Sequence, residues 1–148
     1  GYYTKDWNFF FNGTATFTEY MVKHFPRPVD FVHAGADVIT GQSLKNTPSG
    51  NIVRTAYRDW LWHAQNKTLD DGRSSWDLVT VQYAVEGLGL FLQKEDPGYL
   101  EFDVEKGCRW VKSDKVSNHQ YIYQKVDVAE KMAGYLNVMI GKLPKSYK

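Results

Sequence analysis

The chain has one cysteine, Cys108, so an internal disulfide framework is excluded and a buried, inert thiol is the expected state. It has no apolar run near the ~18 residues of a membrane helix, so no membrane span is expected. It has no excess of either charge: 18 basic and 17 acidic residues give a net +1, which excludes a global field for nucleic acid. It has no repeat, no low-complexity tract and no linker-like shift in composition. No glycine-rich phosphate loop, dinucleotide fingerprint or serine-nucleophile elbow occurs. The four histidines, His24, His33, His63 and His119, show no metal-type spacing. Each is expected on the surface or hydrogen-bonded in the core. The chain also opens without Met, at Gly1-Tyr2-Tyr3, and without a signal peptide. A processed precursor, or one piece of a longer protein, is expected from that start.

What is present is an ordinary globular balance, 43% apolar and 24% charged, in 148 residues. One domain spanning residues 1–148 is expected, able to bury roughly 68–70% of its unfolded surface. Aromatics are abundant, with five Trp, ten Tyr and eight Phe. They are expected to fill the core first and to stack on sugars or bases second. Charge is uneven along the chain. Residues 1–105 hold nine basic and fourteen acidic residues, and residues 106–148 hold nine and three. Two differently charged faces explain this, and so does a basic tail that meets a partner.

The coarse order predicts an α/β or α+β chain with too few strands for a complete doubly wound sheet. A helix follows Asn12–Thr14, with Phe17, Tyr20, Met21 and His24 at helical spacing, and Pro26 and Pro28 stop it. Residues 28–33 read as a strand ending at Gly35, and residues 40–44 as one helical turn. Val53, Ala56, Tyr57, Trp60, Leu61 and Ala64 mark a helix that ends near Asn66. Ser74 or Ser75 caps a second helix, apolar nearly all round and so expected to be buried. Extended patterns over 99–111 and 121–126 suggest a hairpin or two neighbouring strands. Asp127 and Glu130 suggest a capping box for the last helix, which closes at Gly141 and Pro144.

Two segments carry candidate chemistry. In Asp6-Trp7-Asn8-Phe9 the acid and amide stand two apart and share one side of an extended chain. Such a pair can hold vicinal hydroxyls. In Ser74-Ser75-Trp76-Asp77-Leu78 an acid opens a helix expected to be buried, where a metal ion or a hydroxyl ligand would offset the cost of burying its charge. A simple helix-start residue is the plainer reading of Asp77. The Asp70-Asp71-Gly72 run reads as a solvated turn.

In this order, these segments resemble the second half of the inosine–uridine preferring nucleoside hydrolase family. Residues 6–9 resemble its Glu-aromatic-Asn signature, and residues 29–32 its next core strand. Residues 41–44 and 51–57 resemble a loop and helix of one branch, and residues 75–85 that branch's late metal-ligand segment. The resemblance implies a three-layer α/β fold whose sheet is completed by a separate N-terminal chain. It implies that Asn8 and Asp6 bind ribose hydroxyls, Asp6 standing where the family carries the longer Glu. Asp77 is implied as a Ca2+ ligand. Trp76 stands where many members carry a proton-donating His, and an indole cannot do that work. The family's N-terminal cluster, Asp-x-Asp-x-x-x-Asp-Asp, has no counterpart here. No catalytic base is therefore expected in this chain.

Two expectations follow from the resemblance. The first is part of a calcium-dependent hydrolase of ribosyl N-glycosidic bonds, acting on a nucleoside or other ribosyl compound, with the acid cluster on a companion chain and hence an oligomer. The alternative is a catalytically inactive binding or structural protein of the same descent. Separately, Asn12-Gly13-Thr14 and Asn66-Lys67-Thr68 are glycosylation acceptors, which suggest a secreted or extracellular glycoprotein.

Overall fold

The computed structural model describes residues 2–115 and 117–142. The chain is mixed α/β. Its helices are α1 (Trp7–Phe10), α2 (Ala15–His24), α3 (Ile52–Gln65), α4 (Trp76–Glu86) and α5 (Ala129–Gly141). Its strands are β1 (Val29–His33), β2 (Ile39–Thr40), β3 (Arg73–Ser74), β4 (Leu92–Lys94), β5 (Gly98–Asp103), β6 (Gly107–Lys112) and β7 (His119–Gln124). Short 3-10 helices occupy Phe11–Gly13 and Gln42–Asn46. No helix among the described residues is long and apolar enough to cross a membrane.

Two compact units form, one from Gly1–His33 with Gln93–Tyr123, the other from Ala34–Leu92 with Gln124–Lys148. In the first, β1 runs parallel to β7, from Val29 opposite His119 to His33 opposite Tyr123, and β4 flanks β7 on its other side. β5 and β6 form an antiparallel hairpin, and Thr4 adds a two-bond bridge to Cys108 on the outer edge of β6. The core is Val22, Leu100, Phe102 and Cys108, with Phe9, Phe10, Phe31 and Trp110 packed around it. Phe10 stacks on Phe102 with ring centroids 5.3 Å apart. His119 ties three elements together. Its Nδ1 accepts from the Leu100 N–H at 3.1 Å, and its Nε2 donates to the Val22 carbonyl at 3.0 Å. Of the two states expected for the histidines, surface or hydrogen-bonded in the core, His119 takes the hydrogen-bonded one and is half-buried. Cys108 is buried as expected, and that burial pushes its thiol pKa up.

In the second unit α5 packs on β2, on the 3-10 helix Gln42–Asn46 and on α3, over a core of Val38, Leu44, Leu61, Val79, Met132, Leu136 and Ile140. Asn51 caps α3, its Oδ1 accepting from Val53 N–H at 2.9 Å and Arg54 N–H at 3.3 Å. Asn66 ends the same helix in the left-handed region, at φ 52°. Asn137 holds the start of the 3-10 helix, accepting from Gly41 N–H at 3.0 Å and the Ser43 hydroxyl at 3.1 Å.

Several expectations are corrected. The second extended run does not pair with the first: the hairpin lies wholly within 98–112, and β7 pairs with β1, each residue opposite one 90 positions earlier. The capping box at Asp127 does not form, because Asp127 takes φ 58° and α5 begins two residues later. Pro144, the expected stop after α5, lies outside the described residues. α4 is not a buried helix. Only Val79 and Gln82 are buried, while Val81 and Val85 are 59% and 78% exposed. An apolar helix is covered only where neighbours reach it, and here one stripe is covered. The aromatics do not mainly fill the core either: Trp7, Phe17, Tyr20, Trp62 and Trp76 are all at least half exposed, and Phe102 is the one buried ring among the described residues.

Candidate functional site

Asp6 precedes α1 as its cap. Its Oδ1 accepts from the Asn8 backbone N–H at 2.9 Å, so the segment is a capped helical turn and not the extended chain expected. Asp6, Trp7 and Asn8 are exposed, and the Asn8 side chain takes no partner among the described residues. Both residues belong to the first unit.

Trp76 and Asp77 belong to the second unit, where they open α4. The buried carboxylate expected at Asp77 is instead exposed, in the first helical turn, where the helix dipole favours it. It makes no hydrogen bond or ion pair among the described residues. Trp76 is 51% exposed.

What fixes α4 at its start is a set of contacts around Ser75 that sequence spacing does not announce. Ser75 occupies the cap position, but its hydroxyl makes no cap bond. It stands 2.7 Å from the Thr40 hydroxyl, which in turn stands 2.9 Å from the Tyr57 hydroxyl. Gly35 completes the seat. Its carbonyl accepts from Ser75 N–H at 2.9 Å, and a Cβ there would lie 2.8 Å from the Ser75 carbonyl and the Trp76 Cα. Gly35 holds φ 96°, a conformation that glycine permits. The Gly35 signal was legible only as a strand stop. The hydroxyl chain joins residues 17 and 35 apart, and no local pattern announces it.

Calcium takes six to eight oxygens. Among the described residues no group of three or more His, Cys, Asp or Glu is placed to hold a metal. Asp77, exposed and without a partner, offers at most one carboxylate toward such a set. No family model, no curated protein and no solved structure matches this chain.

Proposed function

We propose that the chain is the C-terminal half of a nucleoside-hydrolase-like site, completed by an N-terminal companion chain that carries the acid cluster. The observation that carries this reading is Asp77: an exposed carboxylate in the first turn of α4, fixed by buried bonds around Ser75 and committed to no partner. A second support is the α1–α2–β1 succession after Asp6 and Asn8, which agrees with the helix and core strand that the resemblance calls for.

In this reading Asp77 would be one ligand of a calcium ion whose other ligands are the companion's acids, and the ion would supply a Lewis acid toward a ribose diol and a water. Within the first unit, the Asn8 amide offers a donor and an acceptor to hydroxyls such as those of ribose, and Asp6 offers the carboxylate oxygen that its cap bond leaves over. Trp76 presents a ring face to the base. Its indole cannot protonate the leaving base, so that proton comes from another group or from solvent. The companion supplies the base for the attacking water, and the assembly is a hetero-oligomer. Asn12 and Asn66, both exposed, are proposed as glycosylation sites of a secreted protein. A mass equal to the bare sequence, unmoved by glycosidase, would remove that part.

One observation favours the second reading, a non-catalytic binding protein: Asp6 spends an oxygen on its own helix cap. Reducing-sugar release from nucleosides, with calcium and with chelator, separates the two. Calcium-dependent release by the native assembly excludes the binding protein, and its absence excludes the hydrolase.

A further inference from the structure

Arg73, on β3, is a cation without a counter-ion. Its guanidinium carbon lies 3.9 Å from the centroid of the Trp60 ring, and the side chain is half-buried. Among the described residues no hydrogen bond or ion pair uses its five N–H groups. Carboxylates are not lacking nearby in sequence. Asp70 pairs with Lys45, and Asp71 accepts from the Thr68 N–H at 2.8 Å and its hydroxyl at 3.2 Å. Those bonds hold the Asp71 carboxyl below the usual carboxylate range. Both acids are bonded to other residues, and neither pairs with Arg73 among the described residues.

The indole shields one side of the guanidinium, and its N–H groups remain to be offered elsewhere. Arg73 stands directly opposite Thr40 in the β2–β3 pair, which puts both side chains on one face of the ribbon. Thr40 is committed to Ser75 and Tyr57, and Tyr57 lies one helical turn before Trp60 on α3. Around Arg73 there is therefore an aromatic wall, a hydroxyl whose partners are fixed, and a guanidinium fork with no acceptor among the described residues. The geometry points to an oxyanion site whose ligand is a phosphate monoester. Two phosphate oxygens match the fork, and the third keeps its charge in solvent, which a half-buried position allows. Resting on the ribosyl reading above, the ligand class is a 5′-phosphorylated ribosyl compound, taken in preference to a plain nucleoside.

The test is calorimetric titration of the full chain with inorganic phosphate, ribose 5-phosphate and ribose, at low ionic strength. Saturable phosphate binding near about 1 mM is expected, with ribose 5-phosphate tighter and ribose silent. Arg73→Gln should weaken phosphate binding by about tenfold or more, with an unchanged circular dichroism spectrum. Arg73→Lys keeps the charge and the apolar stem, so it folds even where the Gln variant does not. It should still bind several-fold more weakly, because an ammonium cannot form the fork. No saturable binding, or equal affinity in the Lys variant, overturns the site. Ribose 5-phosphate that binds no better than phosphate removes the ribosyl substrate class and leaves the anion site. Loss of nucleoside hydrolysis bears on neither result.

Discussion

The Thr40 and Ser75 hydroxyls stand 2.7 Å apart, with both residues buried to 3% exposure or less. This one bond joins β2 to the start of α4 and fixes the residue before Trp76 and Asp77. A buried hydroxyl stripped of its partner costs about 1–3 kcal/mol. Thr40→Val keeps the shape and removes the hydroxyl, so it should lower stability by that amount in urea unfolding. Ser75→Ala in the Thr40→Val background should then add little, because the pair acts as one unit. Fully additive losses would show that the bond contributes nothing of its own.

Gly35 allows the β1 exit to lie against the Ser75–Trp76 backbone. Gly35→Ala adds a methyl 2.8 Å from backbone atoms at φ 96°. The contact is with main chain and cannot be relieved by a rotamer change. We expect more than about 1 kcal/mol of destabilisation in a denaturant titration. Gly134→Ala, in the middle of α5 with open space at its Cβ, should instead stabilise by roughly 0.5–1 kcal/mol.

Much of this fold is written locally, and the parts that are not share one property. Pro26 and Pro28 follow the end of α2, and Asn51 and Asn66 bracket α3, one by its side-chain cap and the other by its left-handed backbone. The partner of β7 was not legible, because Tyr121 and Ile122 state only that a strand exists and not that β1 is its neighbour. The exposure of α4 was not legible either. Val81 and Val85 are apolar whether or not a neighbour covers them. At the candidate site, the types and order of Asp6, Asn8, Trp76 and Asp77 were readable. The capped turn at Asp6 and the Tyr57–Thr40–Ser75 chain depend on pairings that sequence spacing does not encode.

Glu101 accepts from the Tyr3 hydroxyl at 2.8 Å and from the Arg109 guanidinium. The Arg109 bond first, then the Tyr3 bond, holds its carboxyl below its ordinary value of 4.5. A depressed carboxyl pKa means that the ionised, bonded form stabilises the fold above the unfolded pKa. That contribution is lost as pH falls through the folded value. Wild type should therefore exceed Glu101→Gln in urea midpoint at pH 7, and the gap should close on acidification below about 4.5. A gap that is independent of pH would assign the effect to packing alone.

His119 has both ring nitrogens committed, to Leu100 and to Val22. His119→Ala leaves an N–H and a carbonyl without their partner and opens space beside Phe31, whose ring stands edge-on to the imidazole at 5.2 Å. A loss of about 2–4 kcal/mol is expected from the two groups and the cavity. Hydrogen exchange at the Leu100 amide should accelerate in step. Unchanged protection there would contradict the role of His119 as the tie between β5, β7 and α2.

The most direct measurement of the proposed function is a calcium titration of ribose release by the native assembly, compared with the same assembly carrying Asp77→Asn. Mass spectrometry of that assembly should identify a companion chain with paired N-terminal Asp residues. Wild type should release reducing sugar from nucleoside or ribosyl phosphate in calcium and not in chelator. Asp77→Asn removes one ligand charge from an exposed helix start without touching a core contact, so the fold should persist. The calcium concentration for half-maximal release should rise by about tenfold or more. A chain that purifies alone as a folded monomer, or an assembly whose calcium response is the same with Asp77→Asn, would contradict the reading of Asp77 as a metal ligand.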